Sequence, residues 1–300
     1  MLSLSHLLGL LALTLFAYGP VVRLLGFGDW SGSDTSPSPP SSSSSRRHHH
    51  PRPQLNESLL ALEEDTSLTA TACPPDTYTV HIVSRRPLVL YLEGFVSAAE
   101  RTHLLGLADP AFETSTVADD GGVRVDASVR VSDVAVVERT PTTRCVEARA
   151  RALQGWRDEV WIERLRVQRY GVGGKYGHHF DWMDARHGYG RVSSMMVWLD
   201  DGAGSLVGGG TDFPLLRRPS ADTRWCRFIQ CPETNNDTNS NSNQQRGVVF
   251  KPVVGNAVYW ENFPPGTFAG PGYDESWHAG LPVEAGVKVG LNIWSVGRID

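Results

Sequence analysis

Lysine is nearly missing from this chain of 300 residues: of its 28 basic side chains only Lys175, Lys251 and Lys288 are lysine, and the rest are arginine. The arginines are scattered among 33 acidic residues and leave a net charge of −5, so no basic stripe exists for a phosphate backbone. Zinc-finger, DNA-reading and RNA-reading signatures are also missing, and no nucleic-acid partner is expected. Cysteine is scarce too. Of the four, only Cys226 and Cys231 stand close together, which argues against a structural zinc site. No repeat at solenoid or propeller period occurs. What remains is the length and the ordinary apolar fraction, 40%, of a soluble globular domain with appended segments.

Charge is absent from Met1 to Val22, and Leu7 to Tyr18 is largely apolar. Residues 1–28 therefore read as a secretory signal peptide or a short membrane anchor at the N-terminus. Ala17-Tyr18-Gly19 has the small-x-small form of a cleavage site. Pro20 and the downstream Arg23 weigh against an anchor that leaves the domain in a lumen. Residues 29–64 form a Ser/Pro-rich flexible linker carrying Arg46-Arg47-His48-His49-His50, too poor in apolar groups to order itself. The domain is expected over 65–300, with a polar, disordered insertion near 232–246. Four cysteines permit three pairings; a local Cys226–Cys231 disulfide is the first choice, and in an oxidising compartment it would clip the base of that insertion. Asn56-Glu57-Ser58 and Asn236-Asp237-Thr238 have the pattern of glycosylation acceptors.

The chemistry concentrates in four residues. His179 is the one histidine with an aspartate, Asp181, two positions on, and residues so spaced share one face of a strand. After His187 the chain has a single further histidine, His278. Two imidazoles and one carboxylate make the facial triad of a non-haem Fe(II) site, with open positions for a bidentate 2-oxo acid and dioxygen. Lys288 stands downstream where arginine would be the commoner basic residue, and its ammonium suits the far carboxylate of 2-oxoglutarate as a compact point charge. Tyr170, ending the alternating run from Leu165, offers a hydroxyl for the same carboxylate.

Strands are expected at Tyr78 to Ser84, Leu88 to Leu92, Leu165 to Tyr170, Ser194 to Leu199, Val248 to Phe250, Ala257 to Trp260 and Val287 to Trp294. One helix is capped by Ser97 with Glu100 three positions on. A second runs from Pro141 to Leu153 behind Thr140, placing Cys145, Ala148 and Ala152 on one face. Pro110 to Val134, with few periodic apolar positions, is expected as a mobile lid or a plain connection.

From about Tyr78 to Ser295 the sequence resembles a prolyl 4-hydroxylase catalytic domain of the Fe(II)/2-oxoglutarate dioxygenase superfamily. The matching segments are Tyr170-Gly171-Val172-Gly173-Gly174-Lys175-Tyr176-Gly177-His178-His179-Phe180-Asp181, then Arg191-Val192 leading into Met195 to Leu199, then Gly208-Gly209-Gly210-Thr211-Asp212-Phe213-Pro214, and His278-Ala279-Gly280-Leu281-Pro282-Val283 through Lys288 to Trp294. Lys175 departs from the family's frequent Gln. The resemblance implies a mainly β protein with flanking helices around a double-stranded β-helix of the jelly-roll kind. It implies that His179, Asp181 and His278 bind iron, that Lys288 and Tyr170 bind 2-oxoglutarate, and that Tyr176, Arg191 and Trp294 border a peptide substrate. The activity it implies is hydroxylation of peptidyl proline coupled to decarboxylation of 2-oxoglutarate to succinate, with O2 as oxidant and ascorbate as helper, in the endoplasmic reticulum lumen or membrane. Two alternatives share the fold: an oxygenase of a free amino acid or small metabolite, and a non-catalytic binding module. The sequence carries no indication of oligomeric state.

Overall fold

The computed structural model describes residues 57–62, 73–119, 122–184, 188–219, 223–231, 246–264 and 272–299. The signal or anchor at 1–28, both acceptors Asn56 and Asn236, and the body of the polar insertion lie outside these residues. At the end of the expected linker, Leu60 is buried and bridges to Glu163, and the Ala61 N–H donates to Ile162 O at 2.8 Å, so this short piece packs on the domain. Among the described residues no helix is long and apolar enough to cross a membrane.

In chain order, β1 (Thr79–Arg85) and β2 (Leu88–Glu93) precede α1 (Ala98–Ala108). Five short strands follow: β3 (Glu113–Thr114), β4 (Val117–Asp119), β5 (Gly122–Arg124), β6 (Arg130–Val131) and β7 (Asp133–Val136). Beyond α2 (Pro141–Leu153) come β8 (Val160–Ile162), β9 (Arg166–Tyr170), β10 (Lys175–His179), β11 (Tyr189–Asp200), β12 (Val207–Gly208) and β13 (Thr211–Arg217). The chain closes with β14 (Arg246–Phe250), β15 (Ala257–Glu261), β16 (His278–Gly280), β17 (Val283–Ala285) and β18 (Lys288–Arg298). The larger sheet runs β1-β2-β15-β11-β18-β9-β7-β3, with β8 also on β18; the smaller runs β14-β13-β16-β10-β6. Together they form a double-stranded β-helix, mainly β with helices on one face.

Alternation along the large-sheet strands explains the layering. On β11, Met195, Val197 and Leu199 join a core shared with Leu104 of α1 and Val146 of α2, while Met196 and Trp198 point the other way. There they meet Phe213 of β13 and Phe250 of β14 in the core between the sheets. A period of two thus serves both faces of one sheet, which is why β11 is apolar almost throughout.

Both helices start where their caps predict. The Ser97 N–H donates to Glu100 Oε2 at 2.8 Å and the Glu100 N–H returns to Ser97 Oγ, while Thr140 Oγ1 accepts from the Thr143 N–H with Pro141 in the first turn. The buried face of α2 differs from expectation, however. Thr143, Cys145, Val146, Glu147, Arg149 and Ala150 are buried, whereas Ala148 and Ala152 are only half-buried. Charged residues reach the interior because they are paired: Glu147 with Arg139 at 2.8 Å, and Arg149 with Glu100 at 2.8 Å and Asp76 at 2.6 Å. A disulfide joins Cys145 to Cys73, and a second joins Cys226 to Cys231.

The stretch from Pro110 to Val134 is not a structureless connection. It holds β3 to β6 and the start of β7; β4 pairs with β5, β6 joins the small sheet beside β10, and β7 joins the large sheet beside β9. Strands of two to four residues carry too little alternation to announce themselves in sequence.

Candidate active site

His179 ends β10 and His278 starts β16, and the two are register partners across neighbouring antiparallel strands. That pairing closes the long sequence gap between them. Asp181 begins the turn after β10, and its carboxylate meets both imidazoles: Oδ1 lies 3.6 Å from His179 Nε2 and Oδ2 lies 3.9 Å from His278 Nε2. One donor atom from each of the three residues falls within 4.8 Å of the others. No other cluster of three such residues occurs among the described residues.

Backbone bonds set the ring orientations. His179 Nδ1 is 2.8 Å from Gly177 O and His278 Nδ1 is 2.8 Å from Ser276 O, so each Nδ1 carries the proton and each Nε2 presents a lone pair. Phe213 stacks on His278 at 5.3 Å and Trp260 meets it edge-on at 4.8 Å. Burial, aided by His179, lowers the His278 imidazole to about 4 and so keeps it neutral. Burial alone would raise Asp181, but His179, His278 and Arg191 hold its carboxyl well below the usual range. Three electron-pair donors therefore face one point, an arrangement that repels itself unless a cation lies between them. The donor set fits Fe(II).

His178 belongs to the other side of β10. It is exposed, bonds Asp212 Oδ2 at 2.8 Å and stacks on Trp277, away from the donor face.

Lys288 opens β18 opposite Tyr170, its register partner on β9. The residue is 1% exposed, and its amine lies 5.2 Å from the Tyr170 ring centroid and donates to Gly209 O at 2.6 Å; among the described residues no carboxylate pairs with it. Burial lowers it to about 8. Above His278 and Asp181 a small cavity is walled by Gln168, Tyr170, Tyr176, Thr211, Trp260 and Asn292. The Tyr170 hydroxyl donates to Gln168 Oε1 at 2.8 Å, and Gln168 Nε2, Thr211 Oγ1 and Trp260 Nε1 are buried without partners among the described residues. A buried ammonium over the Tyr170 ring that lines this cavity, together with polar atoms that lack partners among the described residues, is costly by itself and suited to a dicarboxylate. These residues fit 2-oxoglutarate.

The Gly-Gly-Gly-Thr segment shapes this wall. Gly209 has φ +67°, and a Cβ there would sit 3.2 Å from Lys288 Cδ; a Cβ on Gly208, at φ +76°, would fall 2.5 Å from Pro282 O.

Tyr176 lies over His179 at 3.8 Å and is half-buried, facing the cavity. Arg191 and Trp294 also come to the centre, but their polar atoms meet Asp181. Trp294 Nε1 donates to Asp181 Oδ2 at 3.0 Å and Arg191 Nη1 lies 3.7 Å from Asp181 Oδ1. Three contributors escaped the sequence reading. Arg130 places its guanidinium 4.7 Å from the Tyr176 ring centroid with Nη2 buried and without a partner among the described residues, Glu163 grips Arg191, and Gln168 faces the cavity. Gln168 was within reach, since two residues before Tyr170 on a strand means the same face. Arg130 gave no such signal.

With this geometry in view, similarities to known proteins are informative. Residues 165–296 match the family described as the 2OG-Fe(II) oxygenase superfamily. Probable prolyl 4-hydroxylase 10 of Arabidopsis thaliana is 28% identical over 72% of this chain and 71% of its own length. Prolyl 4-hydroxylase 2 of the same plant is 28% identical over 71% of this chain and 68% of its own. Among solved structures, the viral collagen prolyl hydroxylase of Paramecium Bursaria Chlorella virus-1 aligns with a TM-score of 0.46 at 21% identity, covering 70% of this chain and 96% of the viral one.

Proposed function

We propose that this chain, which belongs to the 2OG-Fe(II) oxygenase superfamily, hydroxylates prolyl residues of a protein or peptide. The observation that carries the reading is the donor face of His179, Asp181 and His278 beside the buried, uncompensated ammonium of Lys288. When bound, Fe(II) with dioxygen and 2-oxoglutarate supplies the oxidation: the keto acid leaves as succinate and carbon dioxide, one oxygen atom entering succinate and the other a substrate C–H bond. The chain's part is placement. His179, Asp181 and His278 would hold the metal, and Lys288 with the Tyr170 ring beneath it would anchor the far carboxylate. Gln168 and Thr211 offer the remaining hydrogen bonds.

Proline as the target is supported by the names of the relatives and by what borders the cavity. A groove of about 280 Å³ is lined among others by Val125, Arg130, Val131, Arg169 and Val172. Arg130 of this groove places its guanidinium 4.7 Å from the ring centroid of Tyr176, which lines the cavity, so a peptide in the groove would be led toward the donor face. Ascorbate is the expected reductant for iron oxidised without substrate. Residence in the endoplasmic reticulum is part of the same reading; it is supported by the pairing of all four cysteines, which an oxidising compartment favours.

Incubation with proline-rich peptides, Fe(II) and 2-oxoglutarate should add the mass of one oxygen atom to a prolyl residue, with matching succinate. Succinate formed only with a free amino acid or small metabolite would replace the substrate assignment. Succinate never exceeding that of a His179→Ala control would leave a binding module.

A further inference from the structure

The geometry points to Trp294 as a positioning residue for the metal-binding carboxylate, clamped by an Arg191–Glu163 pair, and so to a role other than the peptide contact implied by resemblance. This rests on the metal-centre reading. The Trp294 indole N–H, which can only donate, reaches Asp181 Oδ2 at 3.0 Å, and both residues are buried. Tying Oδ2 to the indole fixes the Asp181 rotamer and would leave Oδ1 as the oxygen offered to a metal.

The indole is itself held. The Arg191 guanidinium lies 3.8 Å from the Trp294 ring centroid and that of Arg166 lies 5.4 Å from it. Glu163, buried between β8 and β9, accepts from Arg191 Nε at 2.7 Å and from Nη2 at 3.2 Å, and sits 3.9 Å from Arg166 Nη2. A bidentate carboxylate thus fixes one cation over the ring. The same guanidinium places Nη1 3.7 Å from Asp181 Oδ1, so the clamp addresses both oxygens. Trp294 shares a strand and a face with Lys288 and Asn292, so β18 would fix the cosubstrate anchor at one end and the metal carboxylate at the other.

The test measures Co(II) binding by calorimetry on the full domain, with neither 2-oxoglutarate nor peptide present. Trp294→Phe keeps a ring under Arg191 and removes the N–H. Its Co(II) Kd should rise about tenfold or more, and the ligand-field absorption of bound Co(II) should shift, while the KM for peptide stays within about twofold. Glu163→Gln, which loosens Arg191 without touching Asp181, should raise the Kd in the same direction by less. An unchanged Kd and spectrum in Trp294→Phe, with a raised peptide KM, would return Trp294 to the peptide site and overturn the proposal. Were the wild-type protein to bind no Co(II), or no more than His179→Ala does, the metal centre itself would fall and the clamp with it.

Discussion

Tyr170 and Lys288 stand opposite each other in register on β9 and β18, and the amine lies 5.2 Å from the phenol ring centroid and donates to Gly209 O, with no carboxylate beside it among the described residues. A cation so placed waits for an anion. On the proposed reading it would bind 2-oxoglutarate as ammonium, and burial lowers it to about 8. The KM for 2-oxoglutarate should therefore be flat below that pH and climb by roughly tenfold per unit above it, as the neutral amine takes over. Lys288→Ala should raise this KM by about a hundredfold or more while Co(II) affinity stays as in wild type, and the climb with pH should disappear. Initial rates of succinate release at several pH values check this.

The same lysine should weaken the ligand-free fold. Its folded pKa is depressed below the unfolded value near 10.5, so between about 8 and 10.5 the unfolded chain binds the extra proton and stability rises with pH. Below pH 8 the buried charge costs about 3 kcal/mol at most, at roughly 1.4 kcal/mol per pKa unit. Lys288→Met, similar in volume and uncharged, should thus be more stable than wild type at pH 7, and its advantage should shrink above pH 8. Urea unfolding at pH 7 and pH 10 distinguishes this from a mere packing change, which would leave the difference constant.

A third prediction concerns the wall around that amine. Gly209→Ala puts a methyl group into a φ of +67° and 3.2 Å from Lys288 Cδ, so both the backbone and the lysine must shift. The expected result is a fold weakened by about 1–2 kcal/mol and a KM for 2-oxoglutarate raised several-fold, with the Co(II) Kd unaltered. Measuring both constants on one preparation shows whether the disturbance stays at the lysine end of β18.

How far the sequence alone reaches depends on whether a role leaves a local trace. His179 and Asp181 sit on one short segment, His278 is the single later histidine, and Lys288 stands out among arginines, so the residues that the fold brings to the donor face and to the buried amine leave a trace in the sequence. The strands around them were legible as well, because β9, β11 and β18 alternate or run apolar over enough residues to show it. Arg130 and Glu163 left no such trace. Each acts through a partner distant in the chain, Tyr176 in one case and Arg191 in the other, and each looks like an ordinary surface charge until the sheets close. The buried face of α2 was misjudged for the same reason: Glu147 and Arg149 go inside only because Arg139, Glu100 and Asp76 meet them there.

The two disulfides should differ in what they contribute to stability. Cys73 and Cys145 are 72 positions apart, and Cys226 and Cys231 only 5. Restricting the unfolded chain by a loop of the first size stabilises by about 4 kcal/mol on chain-entropy grounds, and by a loop of the second size about 2 kcal/mol. The longer bridge also fastens the segment that carries Asp76 to α2, where Asp76 accepts from Arg149 Nε at 2.6 Å beside the Glu100 pair. Cys73→Ser with Cys145→Ser should therefore lower the unfolding free energy by more than Cys226→Ser with Cys231→Ser. Reduction by dithiothreitol should cost the second double variant more stability than the first. Urea midpoints for the two double variants, with and without reductant, supply the four values; equal losses from both bridges would mean that loop length and the Asp76 contact do not govern the difference.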